Sequence, residues 1–174
     1  HVVCSDANSL AAEHTAEELV QKVGVGIGVA GNGLSACGPT LAQSADMTNR
    51  ESVSRLFEDV VLAYGGMDIL IITAGVFFPP DSSGRISDSQ WRQTYDVNVI
   101  GPAMVAEEAQ KVWLRQATPA KLILTSSVNA TVSKVGSLAY DSSKAALNHL
   151  VRELAIQMAP IVRVNALAPA TVVE

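Results

Sequence analysis

Asp68-Ile69-Leu70-Ile71-Ile72-Thr73-Ala74-Gly75 decides the fold class. Residues 68–73 form a near-continuous apolar run that is too short for a helix. That is the pattern of a parallel strand covered by helices on both faces, and it delivers Ala74-Gly75 at its carboxyl end. Immediately before it, Thr48-Asn49-Arg50-Glu51 reads as a capping box. Val53, Leu56, Phe57, Val60, Val61 and Tyr64 follow at helical spacing until Gly65-Gly66 closes the element.

Further outward the alternation continues. Residues 2–5 read as a strand, Asp6-Ala7-Asn8-Ser9 as a turn and helix N-cap, and residues 10–23 as a helix burying Leu10, Ala11, Leu19, Val20 and Val23. Residues 41–45 form a weak strand leading to Asp46. Downstream, a proline-containing loop over 77–87 precedes a helical pattern over 88–116, with a break predicted around Asn98 and Gly101-Pro102. Residues 121–125 are a buried strand ending in Ser126-Ser127. A small-residue loop over 128–137 leads to a helix over 138–158 that Pro160 stops, and 162–166 is a last strand before Pro169-Ala170. Strands alternating with helices predict an α/β fold with a doubly wound parallel sheet. Ligands in such sheets bind beyond the carboxyl ends of the strands, where Asp6, Asp46, Ala74, Gly75, Ser127 and Pro169 all fall.

Composition agrees with a folded globular chain: 174 residues, 48% hydrophobic and 17% charged, bear a net charge of −5. That charge, with no Lys/Arg cluster, argues against nucleic acid as a partner. No apolar run approaches the roughly 18 residues that span a bilayer. Cys4 and Cys37 lack metal-ligand spacing and the histidines are scattered, so no metal site is expected. The thiols read as reduced, in a cytoplasmic protein. Residues 24–39 are glycine-rich and poor in charge. Gly26-Ile27-Gly28-Val29-Ala30-Gly31 matches the dinucleotide pattern Gly-x-Gly-x-x-Gly literally. The mechanism of that pattern needs a strand before it and a helix N-terminus after it, whereas here a helix precedes it and Asn32-Gly33, Gly38 and Pro39 follow. An insertion or hairpin is the expectation.

The chemistry concentrates in Tyr140-Asp141-Ser142-Ser143-Lys144. Positions i and i+4 share a helix face, so the phenol and the ammonium can enter one pocket as an acid/base pair, the cation favouring the ionised phenol. Alone, this spacing also describes an ordinary amphipathic surface pair. Ser127 closes a strand thirteen residues earlier, and Asn98 lies in Asp96-Val97-Asn98-Val99-Ile100-Gly101.

On these four positions, in this order and on these elements, the chain resembles the short-chain dehydrogenase/reductase family over nearly its whole length. The resemblance implies a Rossmann-like fold and an NAD(P)-dependent oxidoreductase acting on a small alcohol, carbonyl or sugar-derived substrate. It implies Tyr140 as general acid/base and Lys144 as the partner of the nicotinamide ribose and of the phenol. Ser127 would polarise the substrate oxygen, and Asn98 would hold a relay water. Asp6 matches the acidic residue that binds the adenosine ribose hydroxyls. A carboxylate there repels a 2′-phosphate and residues 5–9 hold no Arg or Lys, so NAD is favoured over NADP. Asp46 matches the aspartate at the adenine edge, and Ala74, Gly75 and Pro169 match backbone along the cofactor. A homodimer or homotetramer through residues 99–113 and 145–158 is also implied.

The sequence departs from the family at three places. Ile72-Thr73-Ala74-Gly75 replaces Asn-Asn-Ala-Gly, and Pro169-Ala170 replaces Pro-Gly. The family's first strand and its pyrophosphate-binding glycine turn are absent before His1. Since that strand lies between the second and fourth in the family's sheet, the sheet is expected to have a gap, and the chain is expected to be a slice of a single domain lacking its first and last strands. Such a slice is not expected to hold NAD well. Ser127-Val128-Asn129-Ala130 with Pro169-Ala170 also looks like the dehydrogenase half of fused sugar-phosphate aldolase/dehydrogenase proteins, which would imply an aldolase domain elsewhere. The competing expectation is a non-catalytic dinucleotide-sensing or assembly domain on the same fold, against which stands the presence of Tyr140, Lys144, Ser127 and Asn98 together.

Overall fold

The computed structural model describes residues 1–23 and 40–170. The glycine-rich stretch 24–39, with Cys37 and the Gly26 to Gly31 match, lies outside the described residues. The chain divides into two compact units, His1–Gly65 and Gly66–Glu174.

In the first unit the order is β1 (Val2–Asp6), α1 (Ser9–Val23), β2 (Thr40–Ser44) and α2 (Arg50–Tyr64). The strands pair in parallel, from Val2 beside Thr40 to Asp6 beside Ser44. Helix α1 packs on both of them. Its buried residues are Ala12 and Ala16, while Leu10 and Val20 are exposed, contrary to the expected buried side. Small side chains let the helix backbone lie close to the strands, and the larger ones are turned away. Helix α2 buries Val53, Phe57 and Val60 as its periodicity predicts. The predicted capping box at Thr48 and Glu51 does not form, and a simple N-cap stands one residue later. Asn49, not Thr48, is the N-cap, its side chain accepting from Ser52 N at 3.1 Å, because Thr48 is drawn back to Asp46 by two hydrogen bonds of 2.8 and 2.7 Å. Gly65 ends the helix at φ 79, a left-handed conformation that glycine enters without a Cβ penalty.

The second unit runs β3 (Ile69–Ile72), α3 (Asp88–Tyr95), a π-helical turn (Asp96–Ile100), α4 (Gly101–Gln116), β4 (Ala120–Thr125), a 3-10 turn (Val128–Ala130), α5 (Leu138–Gln157) and β5 (Val162–Leu167). Its three strands are parallel in the order β3-β4-β5. The five strands thus form two sheets, of two and three strands, rather than one. Register places Leu70, Ile72, Leu122, Leu124, Val164 and Ala166 on one face. Leu122, Leu124 and Val164 are buried there. On the other face Ile69 and Ile71 are exposed, so β3 is not covered on both sides as its apolar run predicts. The run reports a hydrophobic strand, but covering both faces needs helices that no local pattern supplies.

The start of β3 is pinned by α4. Trp113 is fully buried and its indole N–H donates to Met67 O at 2.8 Å, while Gln116 Oε1 accepts from Met67 N at 2.9 Å. The predicted interruption of the 88–116 helix is present as the π-helical turn. Pro102 follows it in the first turn of α4, where a missing N–H costs nothing. Among the described residues no helix is long and apolar enough to cross a membrane.

Candidate active site

A π-helical turn admits an extra residue and redirects its side chains out of α-helical phase. Here it turns Asn98 fully inward. Its Oδ1 accepts from Val76 N at 2.8 Å, and its Nδ2 donates to Val76 O and to Ser143 Oγ, both at 3.0 Å. One amide side chain therefore clamps the backbone beyond β3 and ties it to α5. Ser143 completes the link by donating to Tyr140 O at 2.7 Å. Sequence reasoning passed over Ser143. Its one available signal was its position between Tyr140 and Lys144 on a helix whose neighbours bury.

Lys144 is 3% exposed, and its Nζ donates to the Thr125 carbonyl at the end of β4 at 2.8 Å. The same Nζ lies 5.6 Å from the centroid of the Tyr140 ring. Burial pushes the Lys144 pKa below its ordinary value, because a desolvated ammonium is costly. Gly75 lies against this group: a Cβ there would sit 3.3 Å from both Lys144 Nζ and Asn98 Oδ1. The glycine keeps open a shallow cradle beside the ammonium. Tyr140 is half-buried and meets Phe77 edge to face, with centroids 5.6 Å apart and planes at 85°.

Ser127 follows β4 and is buried, its Oγ accepting from Asn129 N at 3.2 Å, which starts the 3-10 turn. Pro169 O accepts from Val128 N at 3.0 Å, so the segment after β5 lies beside the Ser127 segment. That segment is anchored to α5 through Asp141, whose two oxygens accept from Asn129 Nδ2 at 2.8 Å and from Lys134 N at 2.9 Å. Ser126 Oγ donates to Asn148 Oδ1 at 2.6 Å as a second tie. Hydrogen bonds and close contacts thus bring Asn98, Tyr140, Lys144 and Gly75 into one network, and they tie the Ser127 and Pro169 segments to the same helix. Ala74 is exposed at the mouth of β3.

In the first unit, Asp6 and Asp46 end β1 and follow β2, and both are exposed. Asp6 Oδ1 accepts from Asn8 N at 2.8 Å, while Asn8 Oδ1 accepts from Leu10 N at 3.1 Å. Asp46 Oδ1 takes the two bonds from Thr48. Each carboxylate spends one oxygen on its own turn, and among the described residues the other makes no hydrogen bond. Among the described residues no cluster of His, Cys, Asp and Glu could hold a metal ion.

A family model described as short chain dehydrogenase matches residues 2–173. The chain belongs to the short-chain dehydrogenase family. It is 33% identical over 132 residues to glucose 1-dehydrogenase of Gluconobacter oxydans (strain 621H), covering 75% of this chain and 49% of that protein. It is 30% identical over 175 residues to the uncharacterized oxidoreductase YuxG of Bacillus subtilis (strain 168), covering 100% of this chain and 24% of that protein. Apart from YuxG, the first relatives it matches are spanned for about half their length. Among solved structures, a short chain dehydrogenase from Mycobacterium smegmatis superposes with a TM-score of 0.83 at 21% identity, over 97% of this chain and 65% of that one. An alcohol dehydrogenase from Thermococcus sibiricus, complexed with 5-hydroxy-NADP, gives 0.80 at 21% identity, over 98% and 65%. These likenesses establish the Rossmann-like fold.

Proposed function

We propose that the protein is an NAD-dependent oxidoreductase of a small alcohol or sugar-derived substrate, with Tyr140 as its general acid/base. The observation that carries this reading is the buried Lys144 ammonium, held to Thr125 O and lying 5.6 Å from the Tyr140 ring beside the open cradle at Gly75. That donor set suits a ribose: Lys144 has N–H groups to spare, and Gly75 leaves room where a Cβ would crowd them. When bound, the nicotinamide supplies the hydride acceptor.

Tyr140 takes the proton from the substrate hydroxyl during oxidation and returns it during reduction. Lys144 places positive charge beside the negative charge that develops on the phenol oxygen. Ser127 donates to the substrate oxygen and fixes its direction. Asn98 keeps an amide-oxygen lone pair beyond the one spent on Val76, and with it holds the relay water. Pro169 backs the Ser127 segment. Asp6 and Asp46, each with a free oxygen, bind the adenosine ribose hydroxyls and the adenine edge, and Ala74 lines the adenosine side. The charge of Asp6 favours NAD over NADP.

We read the two units as parts of one dehydrogenase domain of a cytoplasmic protein. Exposed Ile100, Leu114 and Ile156 on or beside α4 and α5 support homo-oligomerisation through those helices. An aldolase domain fused to this one in the full-length chain is part of the same proposal, and its support is the Ser127-Val128-Asn129-Ala130 and Pro169-Ala170 resemblance.

In the native full-length protein, Tyr140→Phe should lower the rate of NAD reduction by about 10² to 10⁴-fold, the size of a lost acid/base contribution. A Tyr140→Phe variant with wild-type turnover on the protein's best substrate would end the acid/base assignment.

A further inference from the structure

Beyond β3 the chain continues as Phe77-Phe78-Pro79-Pro80. Phe77 spends an edge-to-face contact on Tyr140 yet remains 49% exposed. The 131–137 loop reaches the same segment: at Gly136, with φ +80, a Cβ would lie 3.5 Å from Pro80. That loop carries Val135, which is fully exposed.

Several polar groups around the phenol hold the fold together, while Lys144 keeps spare N–H groups and Ser127 a hydroxyl donor for the cofactor and the reacting oxygen. Asp141 gives both oxygens to Asn129 and Lys134, Asn98 binds Val76 and Ser143, and Lys144 binds Thr125. In the 77–87 loop, Asp81 Oδ1 accepts from Ser83 N, Ser83 Oγ and Arg85 N within its own turn. Among the described residues, the side chain in ring contact with Tyr140 is that of Phe77, an aromatic surface left half exposed. A hydroxyl-rich tail laid on Phe77 would lose water without gaining partners, whereas an apolar group gains in proportion to the area it buries.

We infer that Phe77 determines specificity by receiving an apolar ring or chain attached to the carbinol carbon, so that the substrate class is an apolar alcohol rather than a polyol. The inference rests on Tyr140 as the acid/base and narrows the class of substrate offered to it.

The test compares kcat and KM for cyclohexanol and for glycerol, with NAD, in the native full-length protein and its variants. The native protein should favour cyclohexanol in kcat/KM by at least about tenfold, the scale of a modest apolar contact. Phe77→Ala should lose about tenfold more on cyclohexanol than on glycerol, chiefly through KM. Phe77→Leu, which keeps apolar bulk, should recover most of the loss. A native preference for glycerol, turnover of neither alcohol, or an equal loss on both in Phe77→Ala would overturn the assignment. An active Tyr140→Phe variant overturns the acid/base reading beneath it. An inactive Tyr140→Phe beside an unselective Phe77→Ala overturns the inference alone.

Discussion

The carboxyl ends of β1 and β2 and those of β3 and β4 solve different problems with similar residues. In the first unit, Asp6 and Asp46 are exposed, each anchored by one oxygen to its own turn and, among the described residues, leaving the other without a hydrogen bond. In the second, Asn98, Ser143 and Lys144 are buried, and the hydrogen bonds that tie them to Thr125, to Val76 and to one another reach across 19 to 45 residues of chain. Exposed carboxylates held by short turns suit recognition of a polar ligand, since water remains as their alternative partner. A buried network suits chemistry, because it holds a donor and a cation in place before the substrate arrives. It also makes the second region expensive to disturb, as an unsatisfied buried polar group carries the full cost of its lost water.

The sharpest way to break that contrast is Asn98→Ala. It strands the N–H and C=O of Val76 and the Ser143 hydroxyl, and should lower unfolding free energy by about 2 to 4 kcal/mol in urea titration. A loss under half a kcal/mol would show that water replaces the amide and that the network is no more rigid than the turns of the first unit.

Lys144 gives a smaller, pH-dependent effect. Its folded pKa lies below the unfolded value of 10.5, so the unfolded chain binds more protons in the window between the two. This group's contribution to stability therefore rises as pH rises through that window, by about 1.4 kcal/mol for each unit of separation. Urea midpoints measured from pH 7 to about pH 10, compared with Lys144→Met, should show the wild type gaining relative to the variant. Parallel curves would mean the ammonium is effectively solvated.

Asp6→Ala should move stability least, within about 0.5 kcal/mol, because its lost hydrogen bond is exposed. It should still raise the NADP to NAD ratio of kcat/KM, by about tenfold for removal of one like-charge repulsion. An unchanged ratio would remove Asp6 from cofactor choice and leave it as a turn residue.

Much of the fold was legible because its signals are local. The apolar run at 69–72, the periodicity of α2 and the glycine at 65 each follow from a few neighbouring residues, and the corresponding elements form within a residue or two of expectation. The interruption near Asn98 was legible for the same reason. Less legible was which apolar residues bury. Leu10 and Val20 lost their expected place to Ala12 and Ala16, because the helix-to-strand spacing selects small residues, and Ile69 and Ile71 stand exposed on an open sheet face. The N-cap fell to Asn49, without the predicted capping box, because Asp46 competes for the Thr48 side chain, a choice between hydrogen bonds of nearly equal merit.

The candidate site divides in the same way. Tyr140 and Lys144 were legible as an i, i+4 pair, since helical periodicity alone puts them on one face. That the Lys144 ammonium is buried, that it is held by the Thr125 carbonyl and that it faces the Gly75 cradle follow only from β4 meeting α5 and the loop beyond β3. The sequence by itself determined the alternation of strands and helices and the spacing of the acid/base pair, because both arise from backbone periodicity over a few residues. The tertiary structure decided which neighbours each polar group meets, the link from Asn98 through Ser143 to Tyr140 and the ring of Phe77 set against the phenol. Those contacts join residues far apart in the chain, and long-range packing rather than local propensity selects them.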